Sequence, residues 1–512
     1  MKFALFISAF FLTATSLFAQ KDMLELLPGS DKLYFNEKLG ADVLIGNVHF
    51  IYQKNQMYCD SALYFKDKNK IKAYGHVQMT KESGFNLFCD SLWYDLTEEK
   101  AKLWSKVRAR DLEYKLECDS MDYDSRLGRA NYNNGGKVTS IDGSEILTSK
   151  IGYFYPDTKD FFFKTKVTYS SPDTDLTTDT LNYSYRNRRL NFAGKTTITH
   201  DSTVIFCEDG WYNTEKKAGE LRKNAKVTKG SQVITGDTLK FNSPEKTFIG
   251  RNHVVFLDTT EKFIFKGDHL FQNDLTRKMF ITKNALAIKS QKEDTLYIHA
   301  DTLFSEYDTL NQPSIIKGYW GVKIFSNKIQ GKCDSVSYDK ANDKMDMFVA
   351  PILWSKKGEL KSDTITVYFK DSVLDYAYLH QNASAVFEID SMRYYNQIAG
   401  KVIYAYFKND EVVKAYVNGN AQSIYYPEQT EQTDTAVVVK RTGMNRIYAS
   451  DLIVYLDSGE VVGITYLNKP DGRFYPINRI NKEEQYIQNF KWNPFLRPKK
   501  WEDLLSTELG QP

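Results

Sequence analysis

An Asp-Ser or Asp-Thr pair followed by an apolar residue returns along this chain at steps of about 30 residues, a period that marks one supersecondary unit stacked many times. The clear copies begin at Asp60, Asp90, Asp119, Asp179, Asp237, Asp301, Asp334 and Asp363. Weaker copies stand at Asp209 and Asp268, and Lys150 marks a slot that has lost its acid. Length alone would suggest several domains, but the repeat makes residues 31–470 one kind of object, in one run or in two or three stacked segments. The 34 Tyr and 32 Phe favour strands over helices in that object.

Within a unit, side chains alternate. Asp90, Leu92 and Tyr94 share one parity and Ser91 and Trp93 the other, and the same phase holds through Asp179-Leu181-Tyr183, Asp237-Leu239-Phe241 and Asp334-Val336-Tyr338. Polar clusters follow each time, such as Lys66-Asp67-Lys68-Asn69 and Lys340-Ala341-Asn342-Asp343, and read as hairpin turns. A second marker, small-polar-Val, recurs at Gly46-Asn47-Val48, Gly75-His76-Val77 and Asn252-His253-Val254, where permissive dihedrals suit a bend at the end of the return strand. The repeat aspartate is expected to cap that corner by accepting backbone N–H groups. The fold class is therefore all-β: a repetitive antiparallel β-jellyroll, or β-solenoid of stacked hairpins, rather than a parallel β-helix with its shorter coils. Its lumen collects the positions two and four after the aspartate: Leu92, Tyr94, Leu181, Tyr183, Leu239, Phe241, Leu303, Val336 and Tyr338.

Residues 1–19 have the make-up of a signal peptide: Lys2, an apolar run from Phe3 to Leu12, and Ala19 before the cut. Residues 20–30 form a lead into the repeats. Five cysteines do not make a disulfide framework. Cys59, Cys89, Cys118 and Cys333 each precede the repeat acid, where other units carry Gly236 or Ala300, so they read as small buried fillers rather than metal ligands. The seven histidines show no metal-binding spacing, no phosphate-cradling glycine loop is present, and a net charge of +3 gives no nucleic-acid stripe. Asp-Ser pairs that recur in most rungs are architectural, since a nucleophile needs a single constellation. No catalytic residue, metal or cofactor is expected.

Asp-x-(apolar)-x-Tyr, a polar turn and then Gly-Asn-Val resembles the OstA-like (LptA-like) proteins of lipopolysaccharide transport, which include a periplasmic bridge and the N-terminal domain of an outer-membrane translocon. Gly75-His76-Val77 after Asp60 to Phe65, and Gly419-Asn420-Ala421 after Tyr404 to Asn409, carry the resemblance most closely. It implies a periplasmic, non-enzymatic protein whose lumen shields lipid A acyl chains on the way to the outer membrane. It further implies partners that join by edge-strand addition, namely other OstA-like subunits and an outer-membrane translocon. The chain has more repeats than the bridge proteins and none of the alternation of a membrane barrel. A structural or glycan-binding solenoid, the latter suggested by Trp93-Tyr94, Trp211-Tyr212 and Tyr319-Trp320, is the alternative; a carbohydrate-active enzyme is a third reading. Residues 471–512, with Pro494 and Pro498 breaking any regular rung, read as a C-terminal cap or docking tail, with a short helix over 501–509. Residues 427–440 read as an exposed loop.

Overall fold

The computed structural model describes residues 24–506 apart from 53–54, 83, 291–293, 309–312, 356–357, 371–372, 391–392, 410 and 433–436. The expected signal peptide lies outside the described residues. The chain divides into two compact units, residues 1–188 and 189–512.

Both units follow one local rule. In the strand Lys70–Thr80, Ile71, Ala73 and Val77 are buried while Lys72, Tyr74 and His76 are exposed, so alternation gives one apolar and one polar face. Each strand of this type pairs antiparallel with the strands before and after it: Asn55–Phe65 pairs with Ala41–Tyr52 and with Lys70–Thr80. The polar clusters make the turns, as at Lys66–Lys68, closed by Asn69 in the left-handed region (φ 54°). The chain is all-β and antiparallel, as the sequence pattern predicts.

The corner differs from expectation. The small-polar-Val marker does not end a strand; the strand runs through it. Ile45 pairs with Ser61 and Val48 with Cys59, so Gly46 and Asn47 together oppose Asp60 alone. Both carry positive φ, 75° and 46°, and the pattern repeats at Gly75-His76, Asn252-His253 and Gly419-Asn420. This is a two-against-one bulge in the return strands, the partners of the strands that carry the repeat aspartate. Its effect is plain where strands break there. Tyr114–Asp124 gives Asp122–Asp124 to the strand Arg129–Tyr132 and Tyr114–Cys118 to Gly136–Ser140. One strand thus feeds two leaves. We call leaf A the halves that run from each repeat aspartate to the next turn, and leaf B the other halves. The leaves face each other: in unit 1 the hydroxyls of Tyr114 (leaf B) and Tyr183 (leaf A) are 3.1 Å apart, and the rings of Phe85 and Phe154 lie at 5.6 Å.

The repeat aspartate sits on the crease between the leaves. Its N–H donates to the carbonyl of the left-handed pair on the next strand, as Asp31 to Gly46 (3.3 Å), Asp301 to Trp320 (3.0 Å) and Asp363 to Gln381 (3.2 Å). Its carboxylate accepts from side chains of that pair: Asp60 meets His76 Nδ1 at 2.8 Å, Ser105 Oγ donates to Asp90 at 2.7 Å, and Asn382 donates to Asp363 at 2.9 Å. A Cβ on Gly75 would fall 2.2 Å from Asp60 Oδ2, which explains the glycine. Asx turns occur instead at hairpin ends, where Asp95 Oδ1 accepts the N–H of Thr97 and of Glu98, each at 3.0 Å. The corner at Asp451, which accepts the Gly419 N–H at 3.1 Å, follows the expected form. The weak copy at Asp209 is offset by one residue. Glu208 occupies the anchor, since Cys207 pairs with Thr196 and Asp209 with Ala193.

In unit 2 the strands from Arg189–His200 to Thr295–Tyr307 are unbroken, and those from Pro313 to Lys370 split at the crease into pairs such as Pro313–Tyr319 and Val322–Phe325. The strands that follow are longer: Val373–Asp390 has 18 residues, and Tyr394–Lys408 and Glu411–Tyr425 have 15 each. Residues 427–440 hold a hairpin, Glu428–Gln432 against Val437–Arg441, where a loop is expected. Asp471–Pro476 is still a rung, paired with Gly443–Tyr448. Beyond it, residues 477–506 run back lengthwise over the outer face of leaf B. Ile487 packs with Ala399, Ile424, Tyr426 and Met444; Asn493 Nδ2 donates to Glu359 at 3.1 Å; Arg497 donates to Gln330 at 2.8 Å; and Trp501 stacks on Tyr297 at 5.5 Å. The helix expected near 501 is one 3-10 turn, Trp501–Leu505. This strap buries Trp354 and Glu359 on a face that elsewhere meets water.

Candidate functional site

The interior between the leaves has two borders. At the crease border the positions two after the aspartate are closed in by their neighbours: Leu92, Leu181, Leu239, Leu303 and Val336 are all buried. Each such side chain contributes about 1.5–3 kcal/mol. The positions four after the aspartate lie towards the opposite border, the mouth, between the two rows of hairpin turns. There Tyr94 and Tyr183 are buried, while Phe241 and Tyr338 are half-buried. Burial pushes the Tyr94 and Tyr338 hydroxyls up to about 12, so both stay protonated. The tandem aromatics divide between faces. Trp93 and Trp211 point outward under Lys70 (5.0 Å) and Arg189 (4.3 Å).

An open-sided pocket lies at the mouth of each unit. In unit 1 it spans about 500 Å³ with its mouth included, among Phe50, Ile71, Met79, Lys81, Phe85, Tyr94 and Tyr123. In unit 2 it spans about 590 Å³, among Phe263, Ala287, Lys289, Ile298, Ile316, Tyr338, Met345 and Phe369. Two of the nine sequence-predicted lumen residues, Tyr94 and Tyr338, line these pockets.

Polar closures cross the mouth beside the pockets. In unit 1, Tyr52 donates to the Leu96 carbonyl (3.4 Å), Lys159 pairs with Glu113 (2.7 Å), and Glu145 accepts from Tyr114 (2.6 Å) and Tyr169 (3.1 Å), with Arg188 at 3.9 Å. Burial, the neighbouring tyrosine and this carboxylate push the Tyr114 hydroxyl well above its ordinary range. In unit 2, Lys340 pairs with Glu261 (2.7 Å) and Lys229 approaches Asp274 (3.8 Å). The repeat marks turn residues such as Lys340 but not what they meet, so the period could not reveal these pairs; only a turn on one leaf brought against a turn on the other does.

Residues 23–179 match the family model described as OstA-like protein. That stretch is similar to OstA-like protein. The match ends inside the strand Thr174–Ser184, the last of unit 1. No curated protein matches the chain. Among solved structures, the crystal structure of LptH, described as the LptA-homologous periplasmic component of the conserved lipopolysaccharide transport device of Pseudomonas aeruginosa, overlaps 21% of this chain and 75% of its own. The identity is 12% and the TM-score 0.19.

All five cysteines are free, and Cys207 shares the register of Cys59, opposite the residue that follows a bulge. Burial pushes the thiols of Cys59, Cys89, Cys118, Cys207 and Cys333 up to about 12, which keeps them protonated fillers.

Proposed function

We propose that this chain is a non-enzymatic, periplasmic lipopolysaccharide-transport protein that shields acyl chains between its two leaves. The observation that carries this reading is the stretch similar to OstA-like protein, built as a creased antiparallel roll with an apolar inner face and a pocket at its mouth. Each CH₂ group withdrawn from water is worth about 0.8 kcal/mol, so a long apolar interior holds a lipid without a chemical step. Because the crease side is packed tight, loading parts the leaves at the mouth, where the closures are few and polar. Photo-crosslinkers at Leu239, Phe241 and Tyr338 are expected to capture lipopolysaccharide in cells. Capture only at the outward Lys240 and Asn242 would reject a lipid-bearing interior.

Partners are expected at the N-terminal edge. Lys32–Asn36 pairs with Ala41–Ile45 on one side, and exposes Leu33 (57%) and Phe35 (62%). Its other side has no strand partner among the described residues, and such an edge is a template for another strand, here one from an OstA-like subunit of the transport path or from an outer-membrane translocon. Leu33→Pro is expected to leave the melting temperature nearly unchanged while abolishing co-purification of that subunit; a variant that retains every partner shifts the joint elsewhere.

A glycan-binding reading has its own observation, an outward tyrosine ladder. Tyr368 stacks on Tyr376 at 4.4 Å and Tyr406 lies tilted to Tyr376 at 6.0 Å, with Lys414 over Tyr406 and Tyr455. Oligosaccharide protection of these tyrosines from chemical modification would support it.

A further inference from the structure

Four places beyond the residue that closes the crease on leaf B, a lysine recurs on the inner face: Lys81 after Val77, Lys229 after Ala225 and Lys289 after Ala285. Inner positions of a lipid-shielding leaf are the last place where chance would leave an ammonium, because removing its hydration is costly. The three copies are not alike. Lys229 is exposed and approaches Asp274 across the mouth at 3.8 Å. Lys81 and Lys289 instead line the two pockets.

Around Lys289 Nζ stand the rings of Phe263 at 5.3 Å and Tyr338 at 5.8 Å, one from each leaf. Around Lys81 Nζ stands Tyr123 at 5.2 Å, and Tyr123, like Tyr338, is the residue four after a repeat aspartate. Neither ammonium makes an ion pair or a hydrogen bond among the described residues, although carboxylates are close to Lys289. Glu261 is held by Lys340 at 2.7 Å, and Asp343 accepts from Tyr338 Oη at 3.3 Å. Desolvation, followed by repulsion from Lys340, pulls the Lys289 amine below its ordinary value, with Glu261 and Asp343 opposing. An ammonium in that position gains from an anion brought from outside, since a charge-assisted hydrogen bond at a partly dry site is among the stronger polar contacts.

We infer that each mouth pocket binds an acyl chain carrying a single anionic headgroup, carboxylate or phosphate, with the chain among the apolar lining and the headgroup on Lys81 in unit 1 or Lys289 in unit 2. This rests on the reading of the interior as an acyl-chain site and adds what selects the lipid. The aromatic rings hold the ammonium at the rim, and the apolar walls below it favour a single alkyl tail. The shared position of the two lysines gives the units equivalent stations.

The test uses the full chain and three photoreactive probes of equal chain length: a fatty acid, a lysophosphatidic acid and a monoacylglycerol. The anionic probes are expected to label peptides around Tyr94 and Tyr338 with affinity about tenfold above the neutral one, the size of one charge-assisted contact. Lys289→Gln should bring labelling near Tyr338 down to the neutral level and leave the Tyr94 site intact; Lys81→Gln should do the reverse, and Lys289→Arg should retain anion preference. Binding of the carboxylate alone or of the phosphate alone supports the site and identifies its headgroup. Equal labelling by the neutral probe, or Lys→Gln variants with unchanged preference and an unchanged melting curve, overturns it. Lipopolysaccharide capture in cells that is indifferent to both lysines sinks this inference and spares the transport reading. Lysine-dependent probe binding with no capture of lipopolysaccharide does the opposite.

Discussion

At the crease, Asp60 meets His76 at 2.8 Å and, some 180 residues on, Asp237 meets His253 at 2.9 Å in the same geometry. Across the mouth, closures change from rung to rung: a tyrosine on a carbonyl at Leu96, a carboxylate among tyrosines at Glu145, a lysine on Glu261. The crease is where every strand must bend, so one steric solution recurs. The mouth carries no such demand, and its residues are free to set what enters. Stability should therefore concentrate on the crease side and selectivity on the mouth side.

The sharpest way to break this contrast is Leu239→Ala beside the crease, which is expected to cost about 2–5 kcal/mol in denaturant unfolding, as for a fully buried leucine. A loss below about 1 kcal/mol would mean that the crease side is loosely packed. Next in size is Gly75→Ala. The left-handed backbone (φ 74°) and the approach to Asp60 Oδ2 make it cost about 2 kcal/mol, read in the same assay. Glu261→Gln at the mouth should cost no more than about 1 kcal/mol, and the loss should shrink in high salt, because Lys340 is partly exposed. The smallest effect is a pH dependence. Asp237, by hydrogen bond and charge, raises the His253 pKa above 6.5. A raised histidine pKa stabilises fully below the unfolded value and loses that contribution as pH climbs through the folded one. Between pH 8 and 6 the melting temperature should rise slightly, and His253→Gln should remove that slope.

The crease was legible because it repeats. Asp-Ser/Thr with Gly-Asn-Val fixed the period, and alternation from Asp90 correctly sent Leu92 and Tyr94 inward. Corners at Lys223-Asn224 and Lys283-Asn284 adopt the same paired left-handed conformation with a lysine in first place, so a pattern keyed to a small first residue passes over them. The bulge also looks like a strand end in sequence, because two residues on one strand answer one on the other. The mouth stayed hidden for a different reason. Glu113 and Lys159, or Lys289 and Tyr338, are tens of residues apart and become neighbours only when two leaves fold over. The strap was hidden likewise, since Pro494 and Pro498 announce irregular chain but not the surface beneath it.

That strap changes how the second unit comes apart. In a stack whose rungs touch only their neighbours, melting spreads from an end, one rung at a time. Residues 477–506 bind, in succession, Arg446, Gln397, Glu359, Gln330, Tyr297 and Lys323, so a rung cannot leave without stripping a segment shared by the others. The one-dimensional array becomes a cooperative block from Tyr297 onward. The block is also complete only when residues 477–506 have emerged from the ribosome, which makes the strap a late step in folding for every rung it covers.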